Sequence, residues 1–279
     1  MSSNVSHDKN TKTMIAGHDR TALPFSYDFH FHDNYEIYLF VDGQGEMLVN
    51  HSRYSLVPGT LLIFNSNEVH KVLPSSAYPY ERMTIHFSPG LIRALPLQSC
   101  NLLSCFQNRT PGASNAALLS GDTYEQFKTL VLSLIHHIHS AEYGQEAMAL
   151  SCLTQILVLT NQAFYTSSLK NLPLSSFVSQ AVMYIEKHVA EPLSLSILAK
   201  VLSVDSFYLS HQFKEQIGAS PYHYILVQKI AYAKILLAQG KSCIDVCEEA
   251  GFGEYNNFSR TFKKYVGLTP LQYKKQNSF

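Results

Sequence analysis

Two histidines and a glutamate are the first groups in this sequence with the spacing to do chemistry. His30, His32 and Glu36 lie at even separations in His30-Phe31-His32-Asp33-Asn34-Tyr35-Glu36. Alternate residues of a strand point to one face, so a continuing strand would aim all three side chains the same way. Imidazoles and a carboxylate are donors for a first-row divalent ion, zinc included. They equally supply the few aimed polar groups of a small-molecule pocket, or hydrogen bonds that only hold a fold together. Tyr38, Phe40, Met83 and His86 are candidates for the pocket walls, the flat aromatics being suited to stacking on a sugar ring. The five cysteines, Cys100, Cys105, Cys152, Cys243 and Cys247, are odd in number and fit no disulfide or zinc spacing. Cys100/Cys105 and Cys243/Cys247 could be metal clips, but small buried apolar side chains in a reducing compartment are the favoured reading. There is no Walker loop, no dinucleotide glycine pattern and no convincing Ser-His-Asp order.

The chain that must position these groups has 279 residues, enough for about two domains with separate cores. Its 46% hydrophobic and 15% charged residues are those of a globular protein. No apolar run reaches the ~18 residues of a membrane span, and the polar start MSSNVSHDKNTKTM lacks the apolar stretch of a secretory signal. A membrane or exported protein is therefore disfavoured and a cytoplasmic location expected. The formal net charge of zero conceals an asymmetry: residues 180–279 carry 11 Lys and Arg against 8 Asp and Glu, an excess of +3 that the rest of the chain balances. A mildly basic C-terminal part permits a polyanionic partner.

Short apolar runs with turns between them fill the first third and predict a sandwich or small barrel. Tyr35 to Asn50 reads as a hairpin around Asp42-Gly43-Gln44-Gly45, and YSLVPGTLLIF as a second strand pair turning at Pro58-Gly59. Val69 to Leu73 and Glu81 to Phe87 are further strands. Residues 1–24 read as a polar arm or a disordered tail. Apolar residues then recur at three- and four-residue steps over Asp122 to Ser140 and again over Gln145 to Phe164, a hairpin of two helices. These helices are candidates for a dimer contact, or for a buttress under the barrel. Residues 166–176 read as a linker, dividing residues 25–165 from residues 177–279.

The last hundred residues carry a weak duplication. Phe213-Lys214, Gly218, Pro221 and Tyr224 match Phe262-Lys263, Gly267, Pro270 and Tyr273 at one constant offset. Each copy reads as a short helix, a tight turn and a longer helix, and a third helix, Tyr222 to Gln239, joins them. Such helix-turn-helix units lay their second helix in the major groove, and polar or planar residues early in that helix read bases. By position these are Phe207, Ser210 and His211 in the first unit, and Tyr255, Asn256, Asn257, Ser259 and Arg260 in the second. Phe207 could meet a thymine methyl or belong to the core. Lys214, Lys263 and Lys264 suit phosphates or open solvent.

Over about residues 180–275 the sequence resembles the DNA-binding domain of the AraC/XylS family of bacterial transcription regulators. Leu198-Ala199, Leu209-Ser210, Phe213-Lys214, Gly218, Ser220-Pro221, Gly251-Phe252, Phe258-Ser259-Arg260 and Thr269-Pro270 are among the residues that carry the likeness. It departs from the family pattern at His211 and Lys229, where arginine is usual, and at Asn257, where an aromatic is usual. His30 to Glu36, followed by Gly43, likewise resembles the first cupin motif. Gly59 and His70 fit the second, although Asn65 and Asn67 replace its usual Pro and Gly. The resemblance implies an α+β protein of two domains: an N-terminal cupin-like β-barrel with a helical hairpin, and an all-α double helix-turn-helix. It adds His70 to the donor set, giving His30, His32, Glu36 and His70 as potential metal ligands, although in regulators of this kind the pattern usually persists without metal. The ligand-site set is His30, His32, Glu36, Tyr38, His70 and His86. The function implied is a sequence-specific, dimeric transcription regulator, an activator by family habit. Its expected partners are double-stranded DNA, a small effector such as a sugar, and RNA polymerase. A metal-dependent cupin enzyme fused to a DNA-binding domain is the alternative, disfavoured by the incomplete second motif.

Overall fold

The computed structural model describes residues 14–21, 28–66, 68–75, 79–110, 112–166, 172 and 174–277. The chain forms two compact units that part between Leu174 and Ser175.

Among the described residues of the N-terminal unit, eight strands make two antiparallel sheets. They are β1 (Met14–Thr21), β2 (Tyr35–Asp42), β3 (Gly45–Val49), β4 (Ser52–Leu56), β5 (Thr60–Phe64), β6 (His70–Pro74), β7 (Tyr80–Phe87) and β8 (Ala116–Leu118). One sheet has the order β1-β7-β2-β5-β8 and the other β4-β3-β6. The two hairpins expected at Asp42–Gly45 and Pro58-Gly59 are not hairpins. At both places the chain leaves one sheet for the other, because β2 spends its two edges on β7 and β5. The hairpin that does form joins β3 to β4 through Asn50-His51, with Asn50 at φ 47°. Asparagine tolerates this left-handed turn position better than most residues. Part of the expected N-terminal arm is also a strand: β1 runs antiparallel to β7 along its whole length, with Ala16 buried. Residues 1–13 and 22–24 of that arm lie outside the described residues.

The strand period divides the core in two. Tyr35, Ile37 and Leu39 of β2 face a cluster completed by α3 (Gly121–His139) and α4 (Gln145–Thr166), with Phe127, Val131, Leu134, Leu153 and Ile156 buried there. Tyr38 and Phe40 face the space between the sheets, among Met47, Tyr54, Phe64 and Tyr80. The helical hairpin thus buttresses the five-stranded sheet. By length and mean hydropathy (1.3 over its most apolar window) α4 could cross a membrane, beyond what the run lengths implied, but its Cys152, Leu153, Ile156 and Leu157 belong to this core. Two short helices, α1 (Pro89–Arg93) and α2 (Ser104–Gln107), were not expected. Buried Asn161 of α4 holds α2: its Oδ1 accepts from Ser104 Oγ (2.6 Å) and the Cys105 amide (3.0 Å), and its Nδ2 donates to the Leu102 carbonyl (2.8 Å). Cys105, Cys152 and Cys247 are buried as expected, whereas Cys100 is exposed.

The C-terminal unit holds α5 (Ser176–Lys187), α6 (Leu195–Leu202), α7 (Ser206–Ile217), α8 (Pro221–Ala238), α9 (Cys243–Glu249), α10 (Tyr255–Val266) and α11 (Pro270–Asn277). The duplication is physical. α7 ends on Gly218 (φ 71°) and α10 on Gly267 (φ 78°), left-handed caps that favour glycine. Phe213 packs on Tyr224 with centroids 5.7 Å apart, and Phe262 on Tyr273 at 5.6 Å, both edge to face. Four helices start on serine or aspartate caps: Ser194, Asp205, Ser220 and Ser242 each accept from the amide three residues on. α8 lies at the centre, with Ile225, Val227, Ile230, Ala233 and Leu237 among its buried residues.

Candidate functional site

The expected base-reading residues emerge on matching faces of α7 and α10. Leu209, Phe213 and Ile217 bury the inner side of α7, and Phe258, Phe262 and Val266 that of α10. On the outer sides, Phe207, His211 and Lys214 are exposed, as are Tyr255, Asn256, Asn257, Arg260 and Lys263, while Ser210 and Ser259 are half-buried. Phe207 is 80% exposed, so the core alternative for it is ruled out. At the constant offset of the repeat Phe207 matches Asn256, His211 matches Arg260 and Lys214 matches Lys263. The first unit thus presents an aromatic ring and an imidazole where the second presents an amide and a guanidinium. His211 lies 4.0 Å from Glu215, and Arg260 Nε donates to the Asn256 carbonyl at 3.3 Å. Tyr208, Tyr222 and Ile244 are also exposed on this unit, and sequence spacing did not single them out.

A residue noted in the sequence only as a departure holds this unit together. Lys229, 5% exposed, donates from Nζ to the carbonyls of Glu191 (2.9 Å), Ala250 (2.9 Å) and Gly251 (3.0 Å). It ties α8 both to the segment before α6 and to the turn between α9 and α10. Burial pushes its ammonium down to about 8, which leaves it protonated at neutral pH.

The N-terminal histidines converge, but not along the one continuing strand that the parity argument expected, since residues 31–34 are irregular and β2 begins only at Tyr35. The backbones of His30 and His70 pair (N to O 3.1 and 3.0 Å), placing both at the β6 edge of the smaller sheet. Glu36 of β2 stands opposite His86 of β7 on one side and Phe64 of β5 on the other. Glu36 Oε2 lies 3.2 Å from His32 Nε2 and 3.3 Å from His70 Nε2, and its Oε1 lies 3.8 Å from His86 Nε2. The His32 and His86 rings pack at 4.5 Å and the His30 and His70 rings at 4.3 Å, while Phe64 stacks on His70 at 4.1 Å. Burial, with His70 and His32 close by, pushes His30 down to about 3, and burial pushes His86 down to about 4. Burial works against the charge of Glu36, but the imidazoles of His86, His32 and His70 hold its carboxyl well below the usual range. The side chains of Glu36 and His70 are 5% and 2% exposed, those of His32 and His86 27% and 22%, so the latter two form the accessible side.

The expected pocket walls mostly do not line this cluster. Met83 is an odd number of residues from His86, so the strand turns it into the helix-side core. Phe40 is fully buried between the sheets, and Tyr38 is packed there with its hydroxyl hydrogen-bonded to that of Tyr80. Of the four, His86 alone joins the histidines. Two surface clefts lie elsewhere: one of about 570 Å³ beside Glu46, Ser55 and Leu73, and one of about 210 Å³ beside Ile92 and Asn101.

Two overlapping sets of donors could hold a metal ion. His30, His32 and His70 offer ring nitrogens within 4.8 Å of one another, and so do the donor atoms of His32, Glu36 and His86. His30 Nδ1 lies 2.9 Å from the Asp28 carbonyl and His70 Nδ1 2.9 Å from that of Glu68. A carbonyl only accepts, so Nδ1 carries a proton in both rings. Glu68 is itself fixed: its buried carboxylate is paired with Arg109 and accepts from the Asn65 and Gly112 amides (both 2.6 Å) and from Asn115 Nδ2 (3.1 Å). No local pattern announces Arg109, which comes from a loop 41 residues away.

Comparison with known proteins agrees with both halves. Residues 13–157 match the AraC-like ligand binding domain, and residues 198–276 match a helix-turn-helix domain. The arabinose operon regulatory protein of Escherichia coli (strain K12) is 26% identical over 245 residues, which are 86% of this chain and 80% of that protein. The HTH-type transcriptional activator RhaS of Enterobacter sp. (strain 638) is 24% identical over 254 residues, 87% of this chain and 86% of that protein. Among solved structures, the C-terminal domain of AraT, a response regulator from Geobacillus stearothermophilus, is 31% identical and covers 39% of this chain and 91% of that one, with a TM-score of 0.38. With a ligand-binding barrel matched over half its length and a duplicated DNA-reading fold behind it, the chain belongs to the AraC family of transcription regulators, DNA-binding proteins that sense a small molecule.

Proposed function

We propose that this chain is a cytoplasmic, homodimeric transcription activator that reads two adjacent half-sites of duplex DNA through α7 and α10. Its effector is a small polar metabolite, a sugar being the class favoured, bound beside His32 and His86. The observation that carries the reading is the repeated exposed face: Phe207, His211 and Lys214 on one helix, Asn256, Arg260 and Lys263 on the other, each backed by the same buried pattern. Arginine and asparagine suit guanine and adenine edges, and the lysines suit phosphates. The sugar class and the activator role are supported by the names of the relatives, an arabinose operon regulator and an HTH-type transcriptional activator. A homodimer is supported by Leu132 of α3 and Met148 and Val158 of α4, which are exposed beyond the face that the sheet covers. Contact with RNA polymerase follows from the activator role.

Genome-wide mapping of bound sites in the native host, followed by mobility-shift titration of the recovered sites, tests this. Discrete sites, with the affinity of the full chain for them altered by a metabolite of the neighbouring genes, are expected. An effector response unchanged in His32→Ala would remove the histidine end from sensing. A chain that binds no site would sink the whole reading.

A further inference from the structure

The smaller sheet carries a cleft on its outer face, away from the histidines. Met47, Tyr54 and Val72 point between the sheets, so their strand neighbours Glu46, Ser55 and Leu73 point outward. Register sets these three in one row, Glu46 of β3 standing opposite both Ser55 of β4 and Leu73 of β6. The row lines the cleft of about 570 Å³ together with Gln44, Pro74 and Ser75, a volume inside the range of about 300–1,000 Å³ of small-ligand sites. His70 lies opposite Val49, at the other end of β3 and on its inner side.

The lining indicates what kind of molecule fits. Arg53, diagonal to Glu46 in the hairpin, donates to Glu46 Oε2 from Nε (2.8 Å) and from Nη2, which occupies that oxygen and balances the charge. Among the described residues, Glu46 Oε1, Ser55 Oγ, Ser75 Oγ and the Gln44 carboxamide make no hydrogen bond. The hydroxyls and the amide can each give and accept, and the carboxylate oxygen accepts. No Lys, Arg or His among the described residues lines the cleft to hold an anion, and a carboxylate already paired with a guanidinium attracts a cation weakly. Leu73 and Pro74 add an apolar wall. Unspent hydrogen-bonding groups, balanced charge and one apolar wall suit a neutral compound bearing several hydroxyls.

The backbone of Arg53 is tied to the segment that leads out of the barrel. β4 is an edge strand, and on its edge the Arg53 carbonyl accepts from the Leu172 amide (2.6 Å), the two residues forming an antiparallel bridge. Three residues on, Ser175 is held by Gln216 of α7: its amide donates to Oε1 and its Oγ accepts from Nε2, both at 2.9 Å. Only Pro173 and Leu174 separate the two anchors. We propose that the cleft over Ser55, Glu46 and Leu73 is a second small-molecule site, taking a neutral polyhydroxyl compound that donates to Glu46 Oε1, and that its occupancy is relayed through Arg53 to Leu172 and so to α7. Ligand binding here does not depend on the histidine end; only the relay rests on α7 reading DNA.

The test presents the intact chain, in saturation-transfer NMR, with neutral aldopentoses, aldohexoses and alditols, and with gluconate and glucosamine as an anion and a cation of similar size. Binding of neutral members and not of the charged pair is expected. Ser55→Tyr, at an exposed position, puts a ring into the cleft and should abolish binding. Glu46→Gln should weaken it roughly tenfold or more, the worth of one hydrogen bond to a charged acceptor, and His32→Ala should leave it unchanged. The bound compound should alter hydrogen exchange at the Leu172 amide. Leu172→Pro, which deletes that amide, should keep the binding and lose the compound's effect on operator affinity. No binding by any neutral member, preference for a charged one, or binding that survives Ser55→Tyr overturns the site. Loss in His32→Ala overturns it as well, by moving the ligand to the histidine end. An operator response equal in Leu172→Pro, or Leu172 exchange unmoved by the bound compound, overturns the relay. Operator binding without added compound is measured separately, so a failed cleft and a failed DNA-binding reading give different results.

Discussion

Replacing Lys229 with methionine keeps the aliphatic stem and removes the ammonium, so its effect isolates three hydrogen bonds. Each runs from a buried cation to a carbonyl at 2.9–3.0 Å, and hydrogen bonds to charged groups contribute about 1.5–3 kcal/mol apiece. The three do not sum, because water can reach two of the abandoned acceptors. Glu191 is exposed and Gly251 half-buried, whereas Ala250 is buried and its carbonyl bears the full cost. A loss of about 3 kcal/mol in the stability of the C-terminal unit is expected. Urea unfolding of the full chain, followed by far-ultraviolet circular dichroism, measures it; tyrosine emission gives a second probe because there is no tryptophan. Lys229→Arg keeps a charged donor and should recover part of the loss. The ammonium also holds the α9–α10 turn against α8, so Lys229→Met should weaken operator binding at protein concentrations where the unit remains folded. A stability change below about 0.5 kcal/mol, the range of ordinary surface substitutions, would refute the view that Lys229 fastens the second reading helix.

Arg260→Ala should weaken operator binding by roughly 1–3 kcal/mol and relax the preference at one base pair, in mobility-shift assays against a set of single-base operator variants; equal loss at every variant would make Arg260 a phosphate contact. Operator affinity should fall steeply between about 50 and 200 mM salt, since each neutralised phosphate adds close to one unit of log-log slope; a flat dependence would mean that Lys214, Lys263 and Lys264 do not meet the backbone. Phe207→Ala should change unfolding free energy by less than about 0.5 kcal/mol and still impair DNA binding, whereas Phe213→Ala should cost roughly 3–5 kcal/mol. Equal destabilisation by both would contradict the exposure of Phe207.

The C-terminal unit was legible because its signals are local. Gly218 and Gly267 stop helices, Pro221 and Pro270 start them, and the apolar steps between belong to single helices. Strand positions in the barrel were also readable, but strand partners were not. Pairing is a long-range choice, and nothing near Gly43 or Gly59 tells a hairpin from a change of sheet. The polar β1 escaped notice because an edge strand that buries little has no strong apolar alternation. The spacing drew attention to His30, His32 and Glu36, although no continuous strand joins them; parity applied to β7 would have separated Met83 from His86. The Glu68–Arg109 pair had no signature, since its two halves meet only after the loop before β8 has folded across β5.

β1 borders β7, and β7 brings His86 to Glu36, with Ile15 of β1 lying directly across from His86. Were the chain shortened to begin after Thr21, the outer margin of β7 would show a bare row of amides and carbonyls, the kind of margin that recruits other chains. Solubility should therefore decline on N-terminal trimming, because one eight-residue ribbon both seals the sheet and steadies the imidazole next to it.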